Sequence, residues 1–236
     1  MPDHIHTIPV LDALRDPQDC AFCQMQKKLE NDVIQFVIGP SYMEDDVRME
    51  TNKLGFCKTH MHILNKEQNR VGLALMLHTH MQRLCKDTDN IINGRVPLPL
   101  FGKDPSGMLP RLKGHLEKTK DSCYVCDRID STFDRYMDTF FYIWGKGGND
   151  AKLIESQTGY CLPHFITLLE HTEKLGRGKR EKILDVLLPV WKKTTKELEG
   201  DLDWFVQKFD YRNANEPWKN SKDVLPRAID FLGGKE

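Results

Sequence analysis

The sequence has no apolar run approaching the 18 or so residues that a membrane-spanning helix needs. Its start, Met1-Pro2-Asp3-His4-Ile5-His6, lacks the basic residues, apolar stretch and small-residue cleavage site of a secretory signal. These absences predict a chain with no membrane span and a cytoplasmic location. There is no large excess of one charge either: 34 Lys and Arg oppose 35 Asp and Glu, a formal net charge of −1. Local basic runs occur in residues 95–120 and at Lys174, Arg177, Lys179, Arg180 and Lys182, but aromatic residues do not interleave them. They read as solvated faces, so nucleic acid is not an expected partner. Cysteine is scarce, seven in 236 residues, which makes its distribution informative.

Six of the seven cysteines fall into one pattern written twice: Cys20-x-x-Cys23 with Cys57-x-x-His60, then Cys123-x-x-Cys126 with Cys161-x-x-His164. The first pair recurs after 103 residues and the second after 104. Two residues between ligands lets side chains from one helical turn converge on a tetrahedral ion. In a reducing cytoplasm, paired CxxC motifs favour metal thiolate over disulfide. The eight residues are therefore expected to form two Cys3His sites holding two zinc ions per chain, since thiolate and imidazole in a four-coordinate set suit zinc. Zinc is preferred to iron–sulfur clusters, which usually draw on four cysteines at tighter spacing. A redox dithiol is disfavoured because no thioredoxin-like strand–helix–strand context surrounds Cys20 or Cys123. The sequence also permits crossed pairing, Cys20 and Cys23 with Cys161 and His164, but pairing within each half, Cys20 and Cys23 with Cys57 and His60, is preferred because it closes the shorter loops of 33 and 34 residues.

More than the ligands falls into register. Gly55-Phe56-Cys57 matches Gly159-Tyr160-Cys161, Leu64 matches Leu168 and Asp46 matches Asp150, which reads as a repeated supersecondary unit. Each copy is predicted to be a helix from its CxxC, a short helix (about residues 46–53 and 150–157) ended by a left-handed glycine, and a helix from its CxxH. Val125, Ile129, Phe133, Met137, Phe140 and Trp144 outline one core-facing stripe, and Leu64, Val71, Leu77, Met81, Leu84 and Ile91 another. The domain boundaries follow: residues 1–92 as the first helical unit, 93–122 as a Pro- and Gly-rich linker, 123–178 as the second unit, and 179–236 as C-terminal helices and tail. Pro189 should kink the helix there or begin a new one, and residues 210–236 should form an irregular arm.

The remaining candidates are weaker. Cys85 sits beside Leu84 on an apolar stripe and reads as a buried, inert thiol. His78 and His80 are two apart and do not face one another. His62 could orient the ligand block or point to water. Glu44, Asp45 and Asp46 read as an Asp46-capped helix start. The block from Gly39 to His60, continuing through Gln68-Asn69-Arg70, resembles a family of uncharacterised bacterial proteins that pair an early CxxC with a Gly-Phe-Cys-x-x-His block and repeat the arrangement. That resemblance implies membership without an activity. The expectation is a mostly α protein of two tandem metal-clamped helical repeats with a helical C-terminal region. With ordinary hydrophobic content, 39%, to build a core, it would be a zinc-stabilised binding or scaffold protein for a protein or small-molecule ligand. The alternative is a metalloenzyme or redox protein with ligand-exchangeable zinc or iron–sulfur sites.

Overall fold

A computed structural model of the chain describes residues 4–16, 20–94 and 105–235. Among the described residues there is no strand. Eleven α-helices follow in order: α1 Thr7–Leu14, α2 Ala21–Ile38, α3 Asp45–Leu54, α4 Lys58–Leu64, α5 Arg70–Ile92, α6 Pro105–Asp121, α7 Tyr124–Lys146, α8 Asn149–Glu155, α9 Leu162–Glu173, α10 Arg177–Gln207 and α11 Val224–Gly233. The predicted long, short and CxxH-led helices are α2, α3 and α4 in the first half and α7, α8 and α9 in the second.

The chain forms two compact units, Met1–Lys28 with Thr132–Glu236, and Leu29–Ser131. These are not the divisions at 92, 122 and 178 read from the sequence. The dividing points fall inside α2 and α7, so each long helix gives its first part to one unit and its remainder to the other.

In the unit of residues 1–28 and 132–236, the core is aromatic. Phe22 meets Phe140 at a centroid distance of 5.1 Å and Phe133 at 6.0 Å, while Met137, Ile154, Tyr160, Leu168, Ile183 and Leu187 are fully buried. Burying each such side chain contributes about 1.5–3 kcal/mol. The α7 stripe behaves as its spacing predicts: Val125 and Ile129 are buried in one unit and Met137 and Phe140 in the other. Helix α10 runs unbroken through Pro189, so no new helix starts there; proline forfeits one backbone hydrogen bond and the apolar face holds the rest. Residues 210–235 are not an irregular arm, and residue 236 lies outside the described residues. Buried Lys208 donates to the carbonyls of Asn213, Ala214 and Glu216 at 2.6–2.9 Å, organising the turn. Helix α11 then packs Val224 and Ala228 against Leu198 of α10, with Phe231 beside them.

In the unit of residues 29–131, α3 packs on α5 and α5 on α6. The helix after His60 is two helices, since α4 stops at Leu64 and α5 begins at Arg70. Asn69 makes the break: its side-chain oxygen accepts from Gly72 N–H at 2.9 Å, and its amide donates to the Ile38 carbonyl at 2.8 Å. That restart changes the helical phase. Leu73 and Met76 are buried, whereas Val71 and Met81 of the expected stripe are 68% and 52% exposed. Of the expected linker, residues 95–104 lie outside the described residues, and 105–121 form α6. Pro105 opens that helix, where its missing N–H costs nothing. Gly55 ends α3 at φ +60°, as expected, and a Cβ there would stand 2.6 Å from the His80 ring. Gly159 does not share that conformation; its constraint is Thr194, whose hydroxyl oxygen lies 2.9 Å from where a Cβ would be. Asp45 and Asp46 lie in the first turn of α3 behind Glu44, so Asp46 is not the cap.

Candidate metal centres

All eight predicted ligands come together in two groups of four, Cys20, Cys23, Cys161 and His164, and Cys57, His60, Cys123 and Cys126. The grouping corrects the expected pairing within halves: each CxxC meets the CxxH of the other half. Helix length is the reason. At 1.5 Å per residue α2 carries the chain about 27 Å from Cys20, and the ten residues of α3 can return only about 15 Å. Helix α3 by itself therefore does not bring Cys57 back to the start of α2. For α7 and α8 the mismatch is larger, 23 residues out against seven back. Lengthening the closed loop from 33 residues to the 137 between Cys23 and Cys161 costs only about 1 kcal/mol.

Each group lies inside one compact unit and joins two helix N-termini. Cys20 immediately precedes α2, and Cys161 is the N-cap of α9; Cys123 immediately precedes α7, and Cys57 is the N-cap of α4. Backbone N–H groups at these ends favour thiolate. The Cys20 sulfur receives those of Cys161 and Cys23, and the Cys123 sulfur those of Cys126 and Cys57.

Donor spacing provides the fit test. His164 Nδ1 lies 3.1, 3.4 and 3.8 Å from the sulfurs of Cys161, Cys23 and Cys20, and the Cys23 and Cys161 sulfurs are 3.5 Å apart. His60 Nδ1 lies 3.2, 3.3 and 3.4 Å from the sulfurs of Cys57, Cys123 and Cys126, with the Cys57 and Cys126 sulfurs 3.9 Å apart. A tetrahedron with ordinary zinc–sulfur and zinc–nitrogen bonds has S···S edges of about 3.8 Å and N···S edges of about 3.5 Å. These residues fit one four-coordinate ion per group. None of the cysteines is in a disulfide.

The second nitrogen of each histidine is also held. His60 Nε2 donates to Glu30 Oε1 and His164 Nε2 to Gln26 Oε1, both at 2.9 Å. A carboxylate can only accept, so Nε2 of His60 carries a proton and Nδ1 is the nitrogen that faces the sulfurs and is left to bind a cation. Gln26 and Glu30 escaped the sequence reading. Their signal was their place three and seven residues after Cys23 on the helix that the CxxC begins. His62, the sequence candidate for this role, is exposed.

Protons distribute unevenly among the donors. Contacts with Cys161 and Cys23 hold the Cys20 thiol down at about 3, and the same sharing pushes Cys161 far up. Burial works to raise Cys123, but the His60 ring and backbone N–H groups bring it down to about 6. Cys123 in turn raises His60 to about 9. Cys126 is pushed up by burial and by the neighbouring Cys123 charge. Each group thus stabilises a thiolate at the first cysteine of its CxxC and retains protons that a cation would displace.

A model of a family of unknown function, DUF6062, matches residues 1–236. The chain belongs to that family. No curated protein and no solved structure matches it. Among the described residues no helix is long and apolar enough to cross a membrane. Cys85 is exposed, not buried, because its side of α5 carries none of the buried residues.

Proposed function

We propose that this DUF6062 member is a zinc-binding protein in which two ions, one per Cys3His group, each clamp one compact unit from within, so that the protein can present a binding surface to a protein or small-molecule ligand. The observation that carries this reading is the donor spacing of 3.1–3.9 Å. It suits a single ion shared by all four donors better than an iron–sulfur cluster, in which thiolates go to different irons. Zinc with three thiolates and one neutral imidazole has a formal charge of −1, and four protein ligands leave no position for water, which favours a structural role. Six thiolates kept for metal require a reducing compartment, so we place the protein in the cytoplasm. The matched long–short–CxxH helix order supports an origin by duplication, followed by exchange of ligand pairs between the copies.

Elemental analysis of protein purified without added metal tests the reading. Two zinc atoms per chain and a colourless sample are expected. Iron with acid-labile sulfide, or fewer than two metal ions, would contradict it.

A further inference from the structure

In the unit of residues 1–28 and 132–236, a cavity of about 200 Å³ takes Cys20, Cys23 and Cys161 into its wall. It is smaller than the 300–1,000 Å³ typical of drug-sized pockets, so its occupant is small. The wall formed by α10, α11 and the segment that follows them carries charges of both signs, Glu197 and Asp230 with Arg227 and Lys235.

The disposition of these charges is specific. The half-buried Asp230 carboxylate has no hydrogen-bond or ion-pair partner among the described residues. Glu197 has only Lys193 at 3.9 Å, on an exposed helix face. Arg227 is fixed by its other nitrogens: Nε donates to Asp223 at 3.2 Å, and Nη2 donates to Asp201 at 2.8 Å and to the Asn220 carbonyl. Both N–H groups of Nη1 stay unspent in a guanidinium whose position is locked. Leu198 and Phe231 supply apolar wall, and Phe231 is braced by Trp191 at 5.0 Å.

A simple anion in this space would meet two carboxylates, and a simple cation would meet the guanidinium. A ligand with both charges pairs with the cationic and the anionic groups at once, and it supplies a partner for the half-buried Asp230 carboxylate, whose desolvation is otherwise uncompensated. We propose that the cavity binds a free α-amino acid as its zwitterion, with the carboxylate on Arg227 Nη1, the ammonium on Asp230 and Glu197, and the side chain along Leu198 and Phe231. The proposal rests on the metal-centre reading in one respect, that an ion holds Cys20, Cys23 and Cys161 in place as the cavity wall.

The test begins with protein shown by elemental analysis to carry two metal ions per chain. The twenty common amino acids at millimolar concentration are screened by thermal shift, and those that stabilise are measured by calorimetry. At least one should bind, and its N-acetyl and carboxamide derivatives, each lacking one charge, should bind at least about tenfold more weakly. Asp230→Asn should weaken binding similarly, and Glu197→Trp, which fills the cavity from an exposed position, should abolish it. Absence of any binder on the two-ion protein, equal binding by either derivative, or unchanged binding in both variants would overturn the proposal. A preparation lacking the two ions would instead count against the metal reading itself.

Discussion

The two metal groups share a donor set and a construction, and they differ in what surrounds the donors. Behind His60 stands the carboxylate of Glu30; behind His164 stands the neutral amide of Gln26. Two ligands of the His60 group, Cys57 and Cys126, are half-buried, against one, Cys20, in the His164 group. The His164 group also receives the Lys235 backbone N–H on Cys23 at 3.4 Å and borders the cavity, which none of the donors of the His60 group lines. Coordination by itself therefore does not give the groups one role. A carboxylate partner makes an imidazole more basic and a stronger ligand, so the His60 group is built for retention, whereas the His164 group has neutral support and a space beside it.

Loss of a ligand should have the largest effect. Cys161→Ser or Cys57→Ser should each release one metal ion and destabilise the protein by several kcal/mol, lowering the melting temperature by about 10 °C or more. Loss of both ions from either single variant would break the comparison by showing that the groups are not independent. Next, Glu30→Gln should weaken metal binding at the His60 group by about tenfold and leave the other group unchanged; Gln26→Glu should strengthen the other. Competition with a chromogenic chelator reads both.

The pH dependence follows from the same partners. Below about 9 the unmetallated His60 carries a second ring proton, on Nδ1, and Cys126 is protonated too; the metallated group keeps only the Nε2 proton of His60. Binding releases the Nδ1 and Cys126 protons, so affinity falls as pH falls, and a plot of log affinity against pH should rise by at least about two per unit near pH 7. Because Glu30 helps raise His60, behind the larger effect of Cys123, Glu30→Gln should lower the pH at which that slope begins to flatten. Cys85→Ser, on an exposed helix face, should change stability by less than about 0.5 kcal/mol and leave the metal content at two ions.

Much of this was legible in the sequence, and the principal error is instructive. The ligands, the helices they begin and the α7 stripe followed from spacing, because helical period and chelate geometry are local. Pairing is where loop length misleads: it favours the nearer CxxH, whereas each long helix carries the chain farther from its CxxC than the following short helix returns. The phase of α5 depended on Asn69, whose cap acts together with the Ile38 carbonyl 31 residues away. The partners Gln26 and Glu30 depended on where α9 and α4 dock, which spacing alone does not give. Pro105 and Pro110 suggested a linker because proline was read as a breaker, when one of them occupies the helix position that tolerates it best.

Hydrogen exchange on the zinc-loaded Cys161→Ser protein tests the crossed pairing most directly. Protection should fall at the start of α2, in residues 20–28, and in α9, while residues 58–64 and 123–131 stay protected. Loss of protection at 123–131 with residues 20–28 unaffected would restore pairing within halves and contradict this account.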